Sequence, residues 1–525
     1  MGLFNILETT ARNLPNQKAI ICEGKTFSYK QLKERAIRLS SSLLSLGICK
    51  NDRIAIIHRN CHRYLESYFA TAKIGAVLVP INYRLSGEDF VFILNDSQAK
   101  WIIAQPDLVC FLDNKRHDLP LLKGIILTDT AAVKNWTDCQ LYETLIEETI
   151  TEEKQKDGID DADMAQIYYT SGTTGKPKGV ILTHRNNAAH ADGAIRELKL
   201  TKDDSWLHVS PMFHLADAWA VWAITQVGAI HVMVPEFAEK PVLDALVKHN
   251  VTLSNFIPTM LNLLVNVPEV QEYDFSSLRL IMSGGAPIAK EVVKKILDVF
   301  GCDYIQTYGL TETSPFLTMS ILKEEMKSLP LEQKLPFMAT TGRPFETVQL
   351  KLVKQNGAEV LPDGEDVGEI IAKGETITPG YWELPEETSK RIVDGWLHTR
   401  DLAVQIPEGY VIIVDRMDDV IITGGENVFS IEVEDALYAC PGVLEAAVIG
   451  LPDPVWGERV TAVVVTKEGE SCDARDIIQF CKQRMASFKS PKEVIFSDQL
   501  PKTGSEKIYK YKLRQMYGSN ARKNG

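Results

Sequence analysis

The chain has 525 residues, 45% hydrophobic, 24% charged and 8% aromatic, which excludes disordered, collagen-like and coiled-coil classes and predicts roughly three to four domain-sized units. Lys+Arg 57 against Asp+Glu 70 leaves a net charge of −13, a field that repels nucleic acid and anionic lipid headgroups. Any anion bound here must therefore meet positive charge gathered locally.

In chain order, residues 1–6 lack the basic region and apolar core of a signal peptide, and Ile6 stands where a myristoylation motif wants Ser or Thr. Neither export nor lipidation is expected. Leu32, Ala36, Leu39, Leu43 and Leu46 fall at helical spacing and predict a helix over 29–46, followed by a buried strand over 53–58. A helix over 63–74 and strands over 76–80 and 101–104 continue the alternation, which resumes over 206–308. Such alternation predicts layered α/β structure with largely parallel sheets.

The uncharged stretch 218–235 is interrupted by Thr225, Gln226, Gly228 and His231 and is short for a bilayer span. It reads as a buried helix running into a buried strand, so no transmembrane segment is expected, and peripheral membrane contact stays open. One clear unit follows: a strand over 278–282, a turn over 283–287, and a helix over 289–300 burying Val292, Val293, Ile296 and Phe300. From about 331 to 415 helices thin out, and strands over 349–354, 368–373 and 410–415 predict a small, barrel-like β-rich subdomain. After Asp415, a helix over 431–438, strands over 446–449 and 460–466 and a helix over 474–485 predict a small α+β domain. The nine cysteines show no metal-ligand spacing, which predicts buried free thiols in a reducing cytoplasm.

The strongest chemical signal lies between two apolar, strand-like runs, at residues 168–180. Thr170, Ser171, Gly172, Thr173, Thr174, Gly175, Lys176, Lys178 and Gly179 place four hydroxyls, three glycines and two lysines within ten residues. Glycines let backbone N–H groups approach an anion, hydroxyls donate and lysines neutralise, so phosphate binding is the physical reading. It is not a Walker A loop, because Thr170 and Pro177 occupy positions where that motif needs Gly and Ser or Thr. His184 and His190 have the wrong spacing for a zincin and read as ordinary polar histidines.

This loop resembles the signature of adenylate-forming enzymes, the superfamily of acyl-CoA synthetases, peptide-synthetase adenylation domains and luciferases. Independent motifs follow in order: 308–313 (Tyr-Gly-Leu-Thr-Glu-Thr), 396–401 (Trp-Leu-His-Thr-Arg-Asp), 415–419 (Asp-Arg-Met-Asp-Asp) and 501–508 (Pro-Lys-Thr-Gly-Ser-Glu-Lys-Ile). The resemblance implies an AMP-binding N-terminal domain over 1–417, of two α/β subdomains plus the β-rich one. A mobile C-terminal domain over 418–525, hinged at Asp418, would carry the catalytic Lys507. Two departures from the family pattern stand out: Glu506 and Arg400, at positions where the family has Gly.

By resemblance the cofactors are ATP, CoA and Mg²⁺. Residues 170–178 would hold the β- and γ-phosphates, Thr311 the α-phosphate, and Glu312 would place the metal. Tyr308 would stack on adenine with Gly285, Ala286, Gln306 and Thr307 around it, Asp401 would accept from the ribose hydroxyls, and Arg416 would bind ribose or phosphate. Gly424 and Gly425 would line a pantetheine tunnel, with Trp456, Phe488, Lys489 and Lys492 near the nucleotide end of CoA.

Only fifteen residues follow Lys510, so a stand-alone CoA ligase is expected rather than a peptide-synthetase module. A ligase loading a carrier protein and a non-catalytic nucleotide-binding relative stay open. The acid is expected around 211–214, where His214 is counted with the catalytic residues and Leu215, Trp219, Val221 and Trp222 give an apolar lining. That favours a hydrophobic monocarboxylic acid, medium- or long-chain fatty, alicyclic or aromatic. Asp217 is the candidate partner for an amino acid's ammonium group, or a helix N-cap.

Overall fold

A computed structural model describes residues 2–129, 138–148, 158–170, 176–286, 288–467, 472–502 and 508–518. By internal contacts the chain divides into two units, Met1–Leu350 with Ala372–Leu397, and Lys351–Ile371 with His398–Gly525. The sequence places the division at 417/418; contacts instead group the later β-rich strands with the C-terminal residues.

The first unit holds two sheets. One has seven strands in the spatial order Cys139–Leu141, Gly124–Leu127, Ala99–Ala104, Arg53–Ile57, Val77–Pro80, Met164–Thr170, Lys178–Thr183. All pairs are parallel except the last, where Thr170 faces Lys178 across an antiparallel ladder. The other has nine strands in the order Arg343–Pro344, Phe316–Met319, Asp303–Gly309, Leu280–Gly284, Leu253–Phe256, Ser205–His208, Ile230–Met233, Lys18–Cys22, Lys25–Ser28. Its middle is parallel and its two edges are antiparallel. Strands covered on both faces read as unbroken apolar runs, and Val77–Pro80 is buried at every position.

The helices follow the sequence periodicity. Tyr29–Ser45 buries Leu32, Ala36, Leu39 and Leu43 along one face, each worth up to ~1.5–3 kcal/mol for the leucines. It starts at a reciprocal cap in which Gln31 N–H donates to Ser28 Oγ and Ser28 N–H donates to Gln31 Oε1. The predicted buried helix and strand are Ala220–Val227 and Ile230–Met233.

Some expectations change. The strand read over 278–282 is Leu280–Gly284, because Ser283 and Gly284 pair with Gln306 and Thr307 rather than turning. Val292 is only half-buried in the helix Lys290–Phe300. The β-rich stretch opens with a helix, Leu331–Met338, and contains another, Pro385–Arg391. His184 and His190 are core residues: His184 Nδ1 accepts from the Leu3 N–H at 3.1 Å, and His190 packs against Trp219, Phe316 and Phe345. None of the nine cysteines forms a disulfide, but only Cys22, Cys61, Cys440 and Cys481 are buried.

The second unit has a five-stranded sheet in the order Glu426–Val428, Ile421–Thr423, Gly457–Thr466, Val443–Asp453, with Glu493–Phe496 parallel to Gly457–Thr466. Both faces are covered: Ala446, Val448, Ala462 and Val464 pack under the helices Ser430–Tyr438 and Ala474–Lys482, and Ile449, Leu451 and Val463 pack with Leu513. The strand expected to stop at 449 continues to Asp453 because Gly450 and Pro452 keep their partners, Val460 and Glu458. Among the described residues, no helix is long and apolar enough to cross a membrane.

Candidate active site

Strand order locates the site. Ser205–His208 has Ile230–Met233 on one side and Leu253–Phe256 on the other, so the chain reverses its direction of travel across the sheet at that strand. In open parallel sheets, ligands bind beyond the carboxyl ends of the strands at such a switch point. The segments leaving those ends are 209–214, 285–286 and 308–312, which carry His214, Gly285, Ala286, Tyr308, Thr311 and Glu312.

The 209–214 turn is clamped by residues the sequence reading missed. Buried Asn60 accepts from Met212 N–H at 2.8 Å and donates to Ser210 O at 2.9 Å. Tyr68 O–H donates to Met212 O at 3.0 Å and meets Tyr168 O–H at 2.6 Å, linking this turn to the strand that leads into the glycine- and lysine-rich loop. His214 is half-buried, its ring 4.6 Å from that of Phe213.

Asp217 has neither expected role. It lies inside the short helix Leu215–Ala218 rather than at its cap, and it is fully buried. Trp206 Nε1–H donates to Oδ1 at 3.1 Å, and His208 Nδ1 bonds Oδ2 at 2.6 Å. The chain continues from His208 Nε2 to His231 Nδ1 at 2.9 Å and from His231 Nε2 to Thr225 Oγ1 at 3.0 Å. Burial, then the neighbouring His208, lowers the His231 pKa well below its ordinary value, and the chain joins Thr225 to the carboxylate through both imidazoles. Trp219 and Trp222 are also core: Trp219 packs edge-on against Trp206 and Phe316, and Trp222 against Tyr68 and Phe69.

The loop after Asp303–Gly309 is held from several sides. Gly309 has no room for a side chain, since a Cβ would lie 1.8 Å from Pro315 O. That carbonyl accepts from Leu310 N–H at 3.1 Å, and Leu310 N–H also reaches Thr313 Oγ1 at 2.9 Å. Glu312 is buried and Thr311 half-buried. Gln306 Nε2 donates to Ala286 O at 2.9 Å, and Thr307 Oγ1 to Ser283 O at 3.0 Å, so both shape the turn bearing exposed Gly285 and Ala286. Tyr308 is half-buried.

A strap over 376–388 joins this loop to the strand after the glycine- and lysine-rich loop. Thr378 N–H donates to Glu312 O at 2.8 Å, and its hydroxyl donates to Ile181 O at 2.5 Å. Ile181 N–H donates to Gly380 O and Trp382 N–H to Gly179 O. Tyr381 O–H donates to Glu312 Oε1 at 2.7 Å, and Lys178 Nζ pairs with Glu387 at 2.6 Å. The lysine and Lys390 hold the Glu387 carboxyl below its ordinary range. Lys176 is exposed, its ammonium 5.5 Å from the Phe92 ring centre. Ser171, Gly172, Thr173, Thr174, Gly175, Glu506 and Lys507 lie outside the described residues.

In the second unit, Asp401 is buried and faces Arg416 across an antiparallel pair, with Nε 3.5 Å from Oδ1. Arg400 has φ +64°, a left-handed conformation that glycine adopts freely, and its guanidinium pairs with Asp418. Gly424 N–H donates to Trp456 O at 2.8 Å, and Gly425 has φ +85°. Trp456 is 58% and Phe488 40% exposed. Lys489 Nζ meets both oxygens of Glu432 at 2.8 Å, and Lys492 Nζ donates to Ser487 O at 2.6 Å.

Comparison with known proteins agrees with this arrangement. Residues 7–382 match the profile of the AMP-binding enzymes, and residues 432–507 that of the AMP-binding enzyme C-terminal domain. The chain belongs to the AMP-binding enzyme family. Within that family it is an AMP-forming acid–thiol ligase related to acyl- and aryl-CoA ligases. It is 34% identical to a fatty acid–[acyl-carrier-protein] ligase, ScoC, of Streptomyces coeruleorubidus, over 99% of this chain and 98% of that protein. It is likewise 34% identical to a feruloyl-CoA synthase of an Amycolatopsis species, over 97% of each. O-succinylbenzoate coenzyme A synthetase from Bacillus subtilis, solved with ATP and magnesium ion, superposes with a TM-score of 0.83 at 27% identity, covering 96% of this chain and 98% of that one.

The residues of this AMP-binding enzyme fit Mg²⁺. Glu312 has one oxygen on a phenol and, among the described residues, no ion pair. No group of three or more His, Cys, Asp or Glu poised for a metal occurs among the described residues. Mg²⁺ is ordinarily held by one or two carboxylates with substrate phosphates and water, not by a protein cage.

Proposed function

We propose that this protein joins a hydrophobic monocarboxylic acid to CoA through an acyl-adenylate, consuming ATP and releasing AMP and pyrophosphate. The supporting observation is Thr378, whose backbone and hydroxyl tie the Glu312 loop to the strand running out of the glycine- and lysine-rich hairpin. A carboxylate for a metal and an anion-binding hairpin are thereby joined by one strap.

Adenylation brings the substrate carboxylate to the α-phosphorus while pyrophosphate departs, so two anions meet and a third leaves. In this reading the hydroxyls and N–H groups of 170–175, with Lys176 and Lys178, hold the β- and γ-phosphates, Lys178 exchanging Glu387 for phosphate. Thr311 donates to the α-phosphate, and Glu312 holds Mg²⁺, which supplies charge neutralisation for the leaving pyrophosphate. Tyr308 stacks on adenine over the turn that Gln306 and Thr307 shape, while Asp401 and Arg416 take the ribose. Lys507 donates to the attacking carboxylate and to an α-phosphate oxygen, stabilising charge in the transition state. The thiol then attacks the acyl carbon and AMP leaves. Asp418 is proposed as the hinge.

The Asp217 contacts support the acid class: it is fully buried with both oxygens bonded to core side chains, which keeps it from meeting an ammonium group. Nine cysteines without a disulfide support a reducing, cytoplasmic setting.

A second reading, loading of a phosphopantetheinyl carrier protein, is favoured by the engagement of Lys489 and Lys492. These ammonium groups would otherwise pair with the nucleotide phosphates of CoA. A panel of fatty, alicyclic, aromatic and amino acids, scored for AMP formation with CoA or with a phosphopantetheinyl carrier protein as acceptor, tests both. Turnover of a hydrophobic acid with CoA is the expected result. Turnover only with the carrier selects the second reading, and absence of AMP formation across the panel refutes both.

A further inference from the structure

The reading above gives Glu312 a metal to place but leaves open what aims its carboxylate. We infer that Tyr381 is the positioning residue for Glu312: its hydroxyl holds Oε1, leaving Oε2 as the oxygen presented to Mg²⁺. This rests on the proposed role of Glu312.

The phenol is itself fixed. Tyr381 faces Val180 in an antiparallel bridge, and its N–H donates to Thr388 Oγ1 at 3.0 Å. Gly380, at φ +146°, lets the chain turn into that bridge, and a Cβ there would lie 2.4 Å from Thr388 Cγ2. Thr378 N–H holds the Glu312 carbonyl at 2.8 Å, so the strap grips both the backbone and the side chain of the same residue. Tyr381 and Glu312 are both buried. Among the described residues, Oε2 accepts no hydrogen bond.

A phenol suits this task better than a cation would. It orients the carboxylate by a hydrogen bond but does not cancel the charge that a divalent metal needs. Lys178 is diverted: its Nζ lies 5.9 Å from the Tyr381 ring centre, but its charge is taken by Glu387. The strap therefore supplies an acid that keeps the lysine off Glu312 and a phenol that aims Glu312.

The test uses the full chain, with Mg²⁺·ATP binding measured by calorimetry and the Mg²⁺ dependence of AMP formation measured with an acid taken from the panel. Tyr381→Phe is expected to weaken Mg²⁺·ATP binding by about 10-fold or more and to raise the Mg²⁺ concentration for half-maximal rate, while metal-free ATP binds as before. Glu312→Gln tests the underlying role: if it binds Mg²⁺·ATP like the wild type, Glu312 does not place the metal. If Glu312→Gln loses binding while Tyr381→Phe does not, the Tyr381 inference alone is overturned. In the double variant, Tyr381→Phe is expected to add nothing to Glu312→Gln, whereas an equal loss in both backgrounds would mean a merely structural tyrosine. Should Tyr381→Phe fail to fold, Glu312→Asp, which withdraws the carboxylate by one methylene, is expected to show the same shift, and an unchanged Mg²⁺ dependence there overturns the inference.

Discussion

Replacing Gly309 by Ala is the sharpest structural test of the adenylate site. The new Cβ would stand 1.8 Å from Pro315 O and 2.7 Å from its carbonyl carbon, where ordinary contact begins at 3.4 Å. The obstacle is backbone, so no side chain can swing clear. Opening the gap takes about 1.6 Å of movement, comparable to the overpacking that costs ~1–3 kcal/mol in cores. The carbonyl that must retreat is the one accepting from Leu310 N–H, immediately before Thr311 and Glu312. A shift of ~1 Å in groups that orient reacting atoms costs on the order of 100-fold in rate. Pyrophosphate release with an accepted acid is thus expected to fall by about two orders of magnitude in kcat/KM, with a modest drop in Tm. Gly301→Ala is the control: its φ is +62° with nothing within 4 Å, so about 1 kcal/mol of strain is expected without loss of rate. A Gly309→Ala enzyme with wild-type kcat/KM would refute the reasoning, as would equal loss of activity in the control.

Asp217→Ala strands the Trp206 and His208 donors in the core and is expected to cost about 3 kcal/mol, read as a lower urea midpoint, with acid preference unchanged. An altered acid preference at full stability would instead make Asp217 a substrate ligand. Stability is expected to fall with acid. Imidazole in the unfolded chain titrates near 6.5, while burial lowers His58 and His184 to about 4 and His190 to about 3. Below 6.5 the unfolded state takes up the extra protons, so stability present at neutral pH is lost toward pH 4, with a slope of up to about 4 kcal/mol per pH unit for three groups. A flat urea midpoint between pH 7 and 5 would contradict this. Arg400→Gly relieves about 1 kcal/mol of left-handed strain and loses an exposed ion pair worth ~0.2–1 kcal/mol, so Tm is expected to stay nearly constant, and a large loss would assign Arg400 a role beyond these two.

Local pattern determined a good deal by itself. The helices Tyr29–Ser45 and Lys290–Phe300 and the strands Arg53–Ile57, Val77–Pro80 and Ala99–Ala104 were legible because burial of one helix face, or of both strand faces, imprints a pattern on the sequence. The glycine- and lysine-rich loop, Glu312 and Lys507 could be singled out because their motifs are contiguous and keep a fixed order. What tertiary structure decided concerns residues far apart in the chain. The strand order that makes a switch point at Ser205–His208 is a matter of which edge each new strand joins, and no periodicity records it. Tyr381 reaches Glu312 across 69 positions and Glu387 reaches Lys178 across 209, each a lone polar residue in a strap without a chemical motif. Asp217 shows the same limit from the other side. Its type and position suit a ligand, and only packing against Trp206 and His208 turns it into a core acceptor. Sequence records the residue types available for chemistry, whereas the pairing of distant strands settles which polar atoms remain free to perform it.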